Sequence, residues 1–409
     1  MADGNPHPSS LGPFKLLSPP GDRVYLDCNA TTPVASFLTD KLGEWMEHWG
    51  NPSSIHWAGR GPKALLRDSR RALAKALGCD ALELIFTSGG SEANNLALKG
   101  VFRRSAALGR NQYIVSAVEH PSVLKTVEQL RASGAEVVIL PVNRQGEIDL
   151  GVYQKMLSSR TALVSVMYAN NETGHIFPIQ QMAAMARQAG ALFHCDGVQA
   201  LGKAPINLHE WGVDLATFSA HKFYSLKGCG VLYARRGVNL ESLVSGGGQE
   251  RGRRAGTENL LAIAAFGAMA GHLTALPIAM LQMAKLRDYF EKQFTAALPG
   301  VQITGALGLR VPNTSSLVID GVDGETLLMN LDMRGFCVST GAACSSGSPE
   351  PSPVLLAMGL TRAEAQSSLR VSLGWTTTRE DIDRFIVTLV AVVERLRSFK
   401  HGEKALLGV

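Results

Sequence analysis

The chain has 409 residues, of which 45% are apolar and 18% are charged, and its formal net charge is +5. At about 150 residues per domain, this length predicts two to three domains and excludes a single small module. The apolar share excludes a disordered chain, and a charge of +5 over this length is too modest to predict nucleic acid as a partner.

The first 22 residues are proline-rich and predict a flexible N-terminal tail over residues 1–22, with no apolar stretch of the kind a signal peptide needs. The six cysteines show neither CxxC spacing nor the density of a disulfide scaffold, which favours reduced thiols and a cytoplasmic location. The most apolar window, Leu260–Leu276, is shorter than the roughly 20 residues of a membrane span. It predicts a buried helix, and no membrane partner is expected.

From residue 84, short β-branched runs alternate with longer helical patterns, as in βαβ units. We therefore predict an α/β domain over residues 23–279 with a seven-stranded, mostly parallel sheet, the first residues packing on the second domain. The predicted strands are Leu84–Thr87, Tyr113–Ser116, Glu136–Leu140, Ala162–Met167, Leu192–Cys195, Leu215–Ser219 and Gly230–Ala234, and the helices include Ser91–Leu108, Pro121–Ala132 and Ile179–Gln188.

After about residue 280 the pattern becomes that of a smaller α+β domain, predicted over residues 280–409. Helices are predicted over residues 281–298, 324–333 and 380–399, and strands over Ser315–Ile319, Phe336–Ser339 and Leu369–Leu373. A loop rich in Gly, Ser and Pro precedes the last of these strands.

Polar segments follow five of the seven strands of the first domain. Because ligands bind beyond the carboxyl ends of parallel strands, these segments predict a site at one edge of the sheet. They are Ser88–Glu92, Val118–His120, Asn170–Gly174, Asp196 with Gln199, and Ser219–Lys222.

Three of these segments together suit pyridoxal phosphate. Lys222 can bind a carbonyl cofactor covalently, Asp196 can pair with its pyridinium nitrogen, and the turn Ser88–Ser91 can offer backbone N–H groups to its phosphate. Each also has a purely structural interpretation: a surface lysine, a helix cap at Asp196, and a Gly-rich turn with Ser91 as the N-cap.

Further polar residues are candidates for the same site. His120, just before a helix start, suits ring stacking, proton transfer or helix capping. Asn171 and Gln199 can orient a ring or a substrate carboxylate, and Arg370 can hold a carboxylate in two places unless it is a surface arginine.

Two glycine-rich segments carry other chemistry. The polar loop Gly341–Pro351 holds Cys344 in a setting that suits a reactive thiolate. The basic run Gly246–Thr257 lacks the aromatic residues typical of nucleic-acid binding, so we do not expect nucleic acid there. No His, Cys or carboxylate spacing predicts a metal site.

At the level of motifs, the chain resembles the cysteine desulfurases, a class V family of pyridoxal-phosphate enzymes with fold type I that serves iron–sulfur cluster assembly. The likeness extends from about residue 23 to about residue 399. Its motifs, in the family's order, are Asp27–Pro33, Gly50–Ser54, Phe86–Glu92, Asn170–Gly174, Ser219–Lys222 and Gly246–Glu250.

The resemblance implies that Lys222 holds the cofactor and acts as general base, Asp196 pairs with the ring nitrogen, Gln199 bonds the ring hydroxyl and His120 stacks on the ring. It implies a homodimer, because Thr257 of a second subunit would complete the phosphate site. The other implied phosphate ligands are Gly90, Ser91, Ser219 and His221.

The substrate and product follow from the same resemblance. Asn171 and Arg370 would hold the carboxylate of L-cysteine, and Cys344 would take its sulfur as a persulfide, leaving L-alanine. A sulfur-acceptor or iron–sulfur scaffold protein is the implied partner.

The sequence departs from the family pattern at three places. Cys28 replaces a usual tyrosine, Ser225-Leu226 replaces Gly-Pro, and Ala342 replaces a common serine. The first two concern local packing and the turn after the lysine motif, and the third concerns only the loop.

Three alternatives remain open at this stage. Two are enzymes of the same fold, a selenocysteine lyase and an aminotransferase, and the loop thiol of Cys344 argues against the aminotransferase. The third is a sulfur-delivery platform without catalysis, which the presence of Lys222, Asp196 and Cys344 disfavours.

Overall fold

The computed structural model describes residues 15–17, 21–341 and 350–407. Its strands, numbered in chain order, are β1 (Val24–Tyr25), β2 (Leu84–Thr87), β3 (Gln112–Ser116), β4 (Glu136–Leu140), β5 (Thr161–Ser165), β6 (Leu192–Asp196), β7 (Leu215–Ser219), β8 (Gly230–Ala234), β9 (Val301–Ile303), β10 (Thr314–Ile319), β11 (Phe336–Cys337) and β12 (Ser368–Ser372).

The α-helices surround these strands and connect them. They are α1 (Ser36–Met46), α2 (Trp57–Leu77), α3 (Gly90–Ala106), α4 (Pro121–Ala132), α5 (Leu150–Met156), α6 (Ile179–Gln188), α7 (Leu208–Trp211), α8 (Leu260–Ala270), α9 (Leu276–Ala297), α10 (Gly324–Asp332), α11 (Pro353–Ala357), α12 (Arg362–Gln366) and α13 (Arg379–Leu407).

The large sheet has seven strands in the order β2-β8-β7-β6-β5-β3-β4. Its strands are parallel except for β8, which runs antiparallel to both neighbours. The predicted α/β class and seven-stranded sheet are therefore confirmed. The main boundary difference is β5, which ends at Ser165, two residues before the predicted Met167.

Alternate residues of each strand pack on opposite faces of the sheet, as strand geometry requires. Phe86 and Ile114 belong to the larger apolar cluster on one face, whereas Ile85 and Tyr113 belong to the cluster on the other face. The sheet is therefore covered on both sides, and ligands can reach it only at the strand ends.

The helix predicted in the window Leu260–Leu276 is α8, whose residues are almost all buried. The next helix, α9, begins at Leu276 rather than at the predicted residue 281, and Pro277 lies in its first turn. A proline is tolerated there because the first N–H groups of a helix have no partner within the helix.

The smaller unit is built on the antiparallel sheet β12-β10-β9 and the parallel pair β1–β11. The N-terminal strand therefore crosses to this unit, where Val24 and Leu26 join its apolar core with Phe290 and Phe385. The next residues return to the large sheet, so the segment after β1 connects both units.

Within the described ranges, no single helix is both long and apolar enough to cross a membrane, and only Leu260–Leu273 and Pro277–Ala297 taken together, across an 83° bend, reach that length and apolarity.

Candidate active site

A cavity of about 360 Å³ lies at the carboxyl ends of the parallel strands, where the polar segments converge. Ten of the predicted site residues line it: Gly90, Ser91, His120, Asn171, Asp196, Gln199, Ser219, His221, Lys222 and Arg370. Thr257 is exposed and is not among the lining residues. Cys344 lies outside the described residues.

One end of the cavity is formed by the first turn of α3. Gly89 is the N-cap, so the expectation that Ser91 caps this helix is wrong. Gly89 offers no side-chain acceptor to the first N–H groups of α3, and the first turn lines the cavity with Ser219 and His221. A Cβ atom added to Gly90 would lie 3.0 Å from Cγ2 of Val198, so a side chain there would crowd this end of the cavity.

His221 is a neutral hydrogen-bonding group at this end. Burial, helped by the positive charge of Lys222, lowers the pKa of His221 to about 4. Its Nδ1 lies 3.1 Å from Oγ1 of Thr31 in the N-terminal segment.

Lys222 lies on a single 3₁₀ turn that follows β7. Its Nζ donates to the carbonyl oxygens of Asn29 and Ala30, both at 2.6 Å. Burial, and then the charge of Arg370, lower the pKa of Lys222 to about 8, although Asp196 and another carboxylate oppose the shift. A substantial fraction of this amine is therefore neutral near pH 8, which nucleophilic or basic chemistry requires.

Asp196 ends β6 and is held by two hydrogen bonds. Its Oδ2 accepts from Nδ2 of Asn94 at 2.8 Å, and its Oδ1 accepts from the backbone N–H of Val198 at 3.0 Å. Asp196 lines the cavity and accepts from a backbone N–H of the turn that follows β6; the next helix, α7, begins only at Leu208, so the interpretation of Asp196 as a helix cap is wrong.

A second carboxyl group, Glu119, is buried close to Asp196. Its Oε1 accepts from Oγ of Ser116 at 2.5 Å and from the backbone N–H of Met167 at 2.9 Å. Burial, with a contribution from the charge of Asp196, raises the pKa of Glu119 to about 8. At neutral pH Glu119 is therefore mainly uncharged.

His120 is both the N-cap of α4 and part of the cavity wall. Its Nδ1 accepts from the backbone N–H of Ser122 at 3.1 Å. Enclosure by the cavity wall lowers the pKa of His120, and Asp196 opposes the shift. Because Nδ1 accepts a backbone proton, the ring is fixed with its other nitrogen available for proton transfer.

Arg370 reaches the cavity from β12 of the smaller unit. Its Nη2 forms an ion pair with Oδ1 of Asp27 at 2.7 Å, and its Nη1 donates to the backbone carbonyl of Asn171 at 3.2 Å. Its Nε is buried without a hydrogen-bond partner. The guanidinium thus already holds one carboxylate before any ligand binds.

A buried acid, Glu172, lies behind Asn171 at the border of the segment that holds Cys344. Glu172 accepts a hydrogen bond from Oγ of Ser352, and a Cβ atom on Gly341 would lie 2.3 Å from its Oε2. Burial raises the pKa of Glu172 to about 7. Gly341 and Ser352 lie on either side of residues 342–349, so Glu172 contacts both ends of that segment.

The sequence interpretation missed four residues of the site. Asn29 and Asn94 line the cavity, Asp27 pairs with Arg370, and Lys203 is buried against Gln199. Asp27 and Asn29 belong to a quoted motif without an assigned role, and polar Asn94 falls on the buried face of α3. These two features of the sequence could have pointed to Asp27, Asn29 and Asn94.

The basic run Gly246–Thr257 is held by its own chain. Arg70 forms a buried ion pair with Glu250, whose backbone is left-handed at φ 47°. Arg251 and Arg253 both donate to the carbonyl oxygen of Leu82. These contacts give the arginines a structural role.

Cys28 and Ser225, at the two departures near the site, are both buried, and Oγ of Ser225 has no hydrogen-bond partner in the part of the chain that the structure describes. Cys28 is buried, and burial raises its thiol pKa to about 12. Its sulfur lies 2.7 Å from the position that a Cβ atom on Gly374 would take. After Lys222, Tyr224 adopts φ 53°, and its backbone N–H donates to Oγ1 of Thr32 at 2.6 Å.

Among the residues described, no cluster of three or more His, Cys, Asp or Glu side chains could hold a metal ion. The five cysteines described are all free.

Comparisons with known proteins agree on one family. The aminotransferase class-V model matches residues 24–385. A cysteine desulfurase of Nostoc sp. (strain PCC 7120) is 41% identical over 389 residues, covering 94% of this chain and 97% of that protein.

Two solved structures show the same fold. A NifS-like protein superposes with a TM-score of 0.85 at 35% identity, covering 91% of this chain and 99% of that one. The structure titled SspA in complex with cysteine superposes with a TM-score of 0.75 at 30% identity, covering 85% of this chain and 98% of that one.

Proposed function

The chain belongs to the aminotransferase class-V family and, within it, to the cysteine desulfurases, and from this premise we propose that it removes sulfur from L-cysteine to give L-alanine with pyridoxal phosphate as cofactor. The observation that carries the proposal is the convergence of Lys222, Asp196, His120 and Arg370 on one cavity. Each of these groups has a partner or a pKa that suits its proposed role.

The residues present fit pyridoxal phosphate. Lys222, with its lowered pKa, supplies the amine that binds an aldehyde. Asp196, oriented by Asn94, supplies the carboxylate for a ring N–H. The glycine-capped start of α3, with Ser219 and neutral His221, supplies the donors for a phosphate.

Bound pyridoxal phosphate supplies an electron sink that makes the substrate Cα proton acidic. Arg370 and Asn171 would bind the substrate carboxylate in the cavity that Lys222 also lines. The Nζ atom of Lys222 takes the Cα proton as general base. His120 would lie against the cofactor ring, and its Nε2, the nitrogen that does not cap α4, can donate or accept a proton.

Cys344 accepts the sulfur. Its thiolate attacks the sulfur of the substrate, an S–S bond forms, and the C–S bond breaks with its electron pair left on carbon. Two protons complete the product as L-alanine, and Cys344 carries the persulfide. Glu172 borders the segment that holds Cys344, and its neighbour Asn171 lines the cavity.

The assignment of Cys344 is tested with Cys344→Ala, using Cys337→Ala as the matched control because Cys337 is a half-buried free thiol of the same unit. We expect Cys344→Ala to bind the yellow cofactor yet form neither persulfide nor alanine, and Cys337→Ala to retain both activities. Sulfide release by Cys344→Ala at the wild-type rate would contradict the assignment. Alanine formation without a keto-acid acceptor separates this enzyme from an aminotransferase and from an inactive platform.

We further infer that the active form is a homodimer in which Thr257 of one copy completes the phosphate site of the other. Thr257 is exposed at the end of the loop that Arg70 and Glu250 hold. Trp49, which precedes α2, and Trp57, its first residue, are 74% and 73% exposed, and their rings are in edge-to-face contact.

Mixing two inactive variants tests the dimer. A dimer of one Lys222→Ala copy and one Thr257→Ala copy has one intact site only if Thr257 acts across the interface. We expect mixing to restore part of the activity, and no restoration would contradict the shared site. Transfer of the persulfide sulfur to an iron–sulfur scaffold protein is the proposed next step, measured by labelled sulfur from L-cysteine.

A further inference from the structure

A second lysine lies buried behind the cavity wall, one turn beyond Gln199. Lys203 is 5% exposed. Its Nζ donates to Oδ1 of Asn29 at 2.7 Å and to Oε1 of Gln199. Among the described residues Lys203 forms no ion pair with a carboxylate.

The position of Lys203 is electrostatically costly. Burial, together with the charges of Lys222 and Arg370, lowers its pKa to about 7. An apolar side chain would fill this space at a lower desolvation cost. The function of the amine is therefore to be sought in the hydrogen bonds that it makes.

Those hydrogen bonds determine which way the amide of Gln199 points. The amine of Lys203 donates, so it faces the amide oxygen of Gln199, and the NH₂ group must lie on the other side. There Nε2 donates to the backbone carbonyl of Asn29 at 3.1 Å. A reversed amide would place NH₂ against the N–H groups of Lys203 and two carbonyl oxygens against each other.

Asn29 is fixed by the same amine. Its Oδ1 accepts from Lys203 and from Nδ2 of Asn313 at 3.1 Å, and its Nδ2 donates to Oγ1 of Thr314 at 2.8 Å. Thr314 in turn donates to Oδ1 of Asn313 at 3.0 Å, which closes a ring of three hydrogen bonds. The three hydrogen bonds all run the same way round the ring. The hydrogen bond from Lys203 to Oδ1 of Asn29 is compatible only with this arrangement, because a reversed Asn29 amide would present its NH₂ group to the amine.

We propose that Lys203 is a positioning residue that fixes the side-chain amides of Gln199 and Asn29, so that Gln199 presents an N–H group, and not an oxygen, to the ring oxygen of the cofactor. The inference rests on the proposed function, because it requires pyridoxal phosphate in the cavity that Gln199 lines. An N–H donor stabilises negative charge on that oxygen, and an amide oxygen would repel it.

The test is a pH titration of the visible absorption band of the bound cofactor. This band changes when the nitrogen that joins Lys222 to the cofactor loses its proton. The ring oxygen then has no hydrogen-bond donor on that nitrogen and depends on the donor of Gln199. We expect Lys203→Met to raise the midpoint by about one pH unit, the effect of one hydrogen bond to a charged oxygen. Lys203→Arg, which keeps the donors, should leave the midpoint close to that of the wild type.

Two further variants separate positioning from a simple charge effect. If Lys203 acts through Gln199, then Lys203→Met causes little further shift in a Gln199→Ala background. An equal shift in both backgrounds, or no shift in Lys203→Met, would overturn the proposal. Lys155→Met removes the same charge from the exposed face of α5 and should leave the midpoint unchanged.

A third variant keeps the test decisive if Lys203→Met does not fold. Gln199→Glu retains an oxygen for Lys203 but has no N–H group for the cofactor, so it should raise the midpoint at least as much. An unchanged midpoint in Gln199→Glu would overturn the proposal. A wild-type protein that binds no pyridoxal phosphate would refute the proposed function itself, and the inference with it.

Discussion

Glu172 gives the protein a stability that depends on pH in a direction opposite to that of most carboxylates. Burial raises its pKa from 4.5 to about 7 in the folded chain. A raised carboxyl pKa means that the folded state holds a proton that the unfolded state releases. The contribution of the protonated Glu172 side chain to folding stability is therefore fully present below pH 4.5, and it is lost as the pH rises towards 7.

The size of this effect follows from the shift. A change of about 2.5 pKa units, at 1.36 kcal/mol for each, corresponds to about 3 kcal/mol of folding free energy. Glu172→Gln keeps an oxygen that can accept from Ser352 but cannot ionise. Relative to the wild type, the variant should therefore gain about 3 kcal/mol between pH 4.5 and pH 8.

The assay is urea-induced unfolding of both proteins across this pH range. Other titrating groups, including Glu119, contribute equally to both proteins and cancel in the difference. Glu44→Gln, an exposed position on α1, is the matched control and should show a constant difference from the wild type. A constant difference for Glu172→Gln as well would refute the reasoning, because Glu172 would then titrate alike in the folded and unfolded chain.

Three further predictions concern the ion pair of the glycine-rich loop, the reactive amine and two glycines. Arg70→Met leaves Glu250 buried without its cation and should lower the free energy of unfolding by about 3–5 kcal/mol. Urea-induced unfolding measures this loss, and a loss below about 1 kcal/mol would contradict a buried ion pair. The rate at which the apoenzyme takes up pyridoxal phosphate should rise with pH through a midpoint of about 8, the pKa of Lys222. Arg370→Gln should raise that midpoint, because the guanidinium charge lowers the pKa of Lys222. Stopped-flow absorbance measures both midpoints, and an unchanged midpoint in Arg370→Gln would exclude this effect of Arg370 on Lys222. Gly174→Ala should destabilise the protein, because Gly174 has φ +76° and a Cβ atom there would lie 2.9 Å from Thr314. Gly43→Ala on α1 meets open space and should stabilise the protein by up to about 1 kcal/mol. Equal thermal midpoints for the two variants would contradict this contrast.

Much of the large sheet could be predicted because its strands are short β-branched runs buried on both faces. Leu84–Thr87 and Leu215–Ser219, for example, are buried throughout and have the predicted boundaries. The direction of β8 could not be predicted, because periodicity carries no information about orientation. The two-residue strand β1 was missed because its pairing with β11 depends on residues more than 300 positions away.

The same division holds for the site. Residues at or just beyond the end of a strand, such as Asp196 and Lys222, could be found because topology brings strand ends to one edge. Asn29 and Lys203 depend on tertiary contacts, with Lys203 174 positions from the oxygen it binds. Sequence spacing cannot reveal such pairs, and the roles of Thr257 and Cys344 remain predictions from the family resemblance.

If Arg370 binds the substrate carboxylate as proposed, its ion pair with Asp27 determines how that carboxylate is bound. The guanidinium already has an anionic partner at 2.7 Å before any ligand arrives, so an incoming amino acid exchanges one carboxylate for another. Only the difference between the two pairings contributes to affinity, which keeps product release easy. Asp27 can then return to the guanidinium when the product leaves, so that a buried positive charge is neutralised throughout the catalytic cycle.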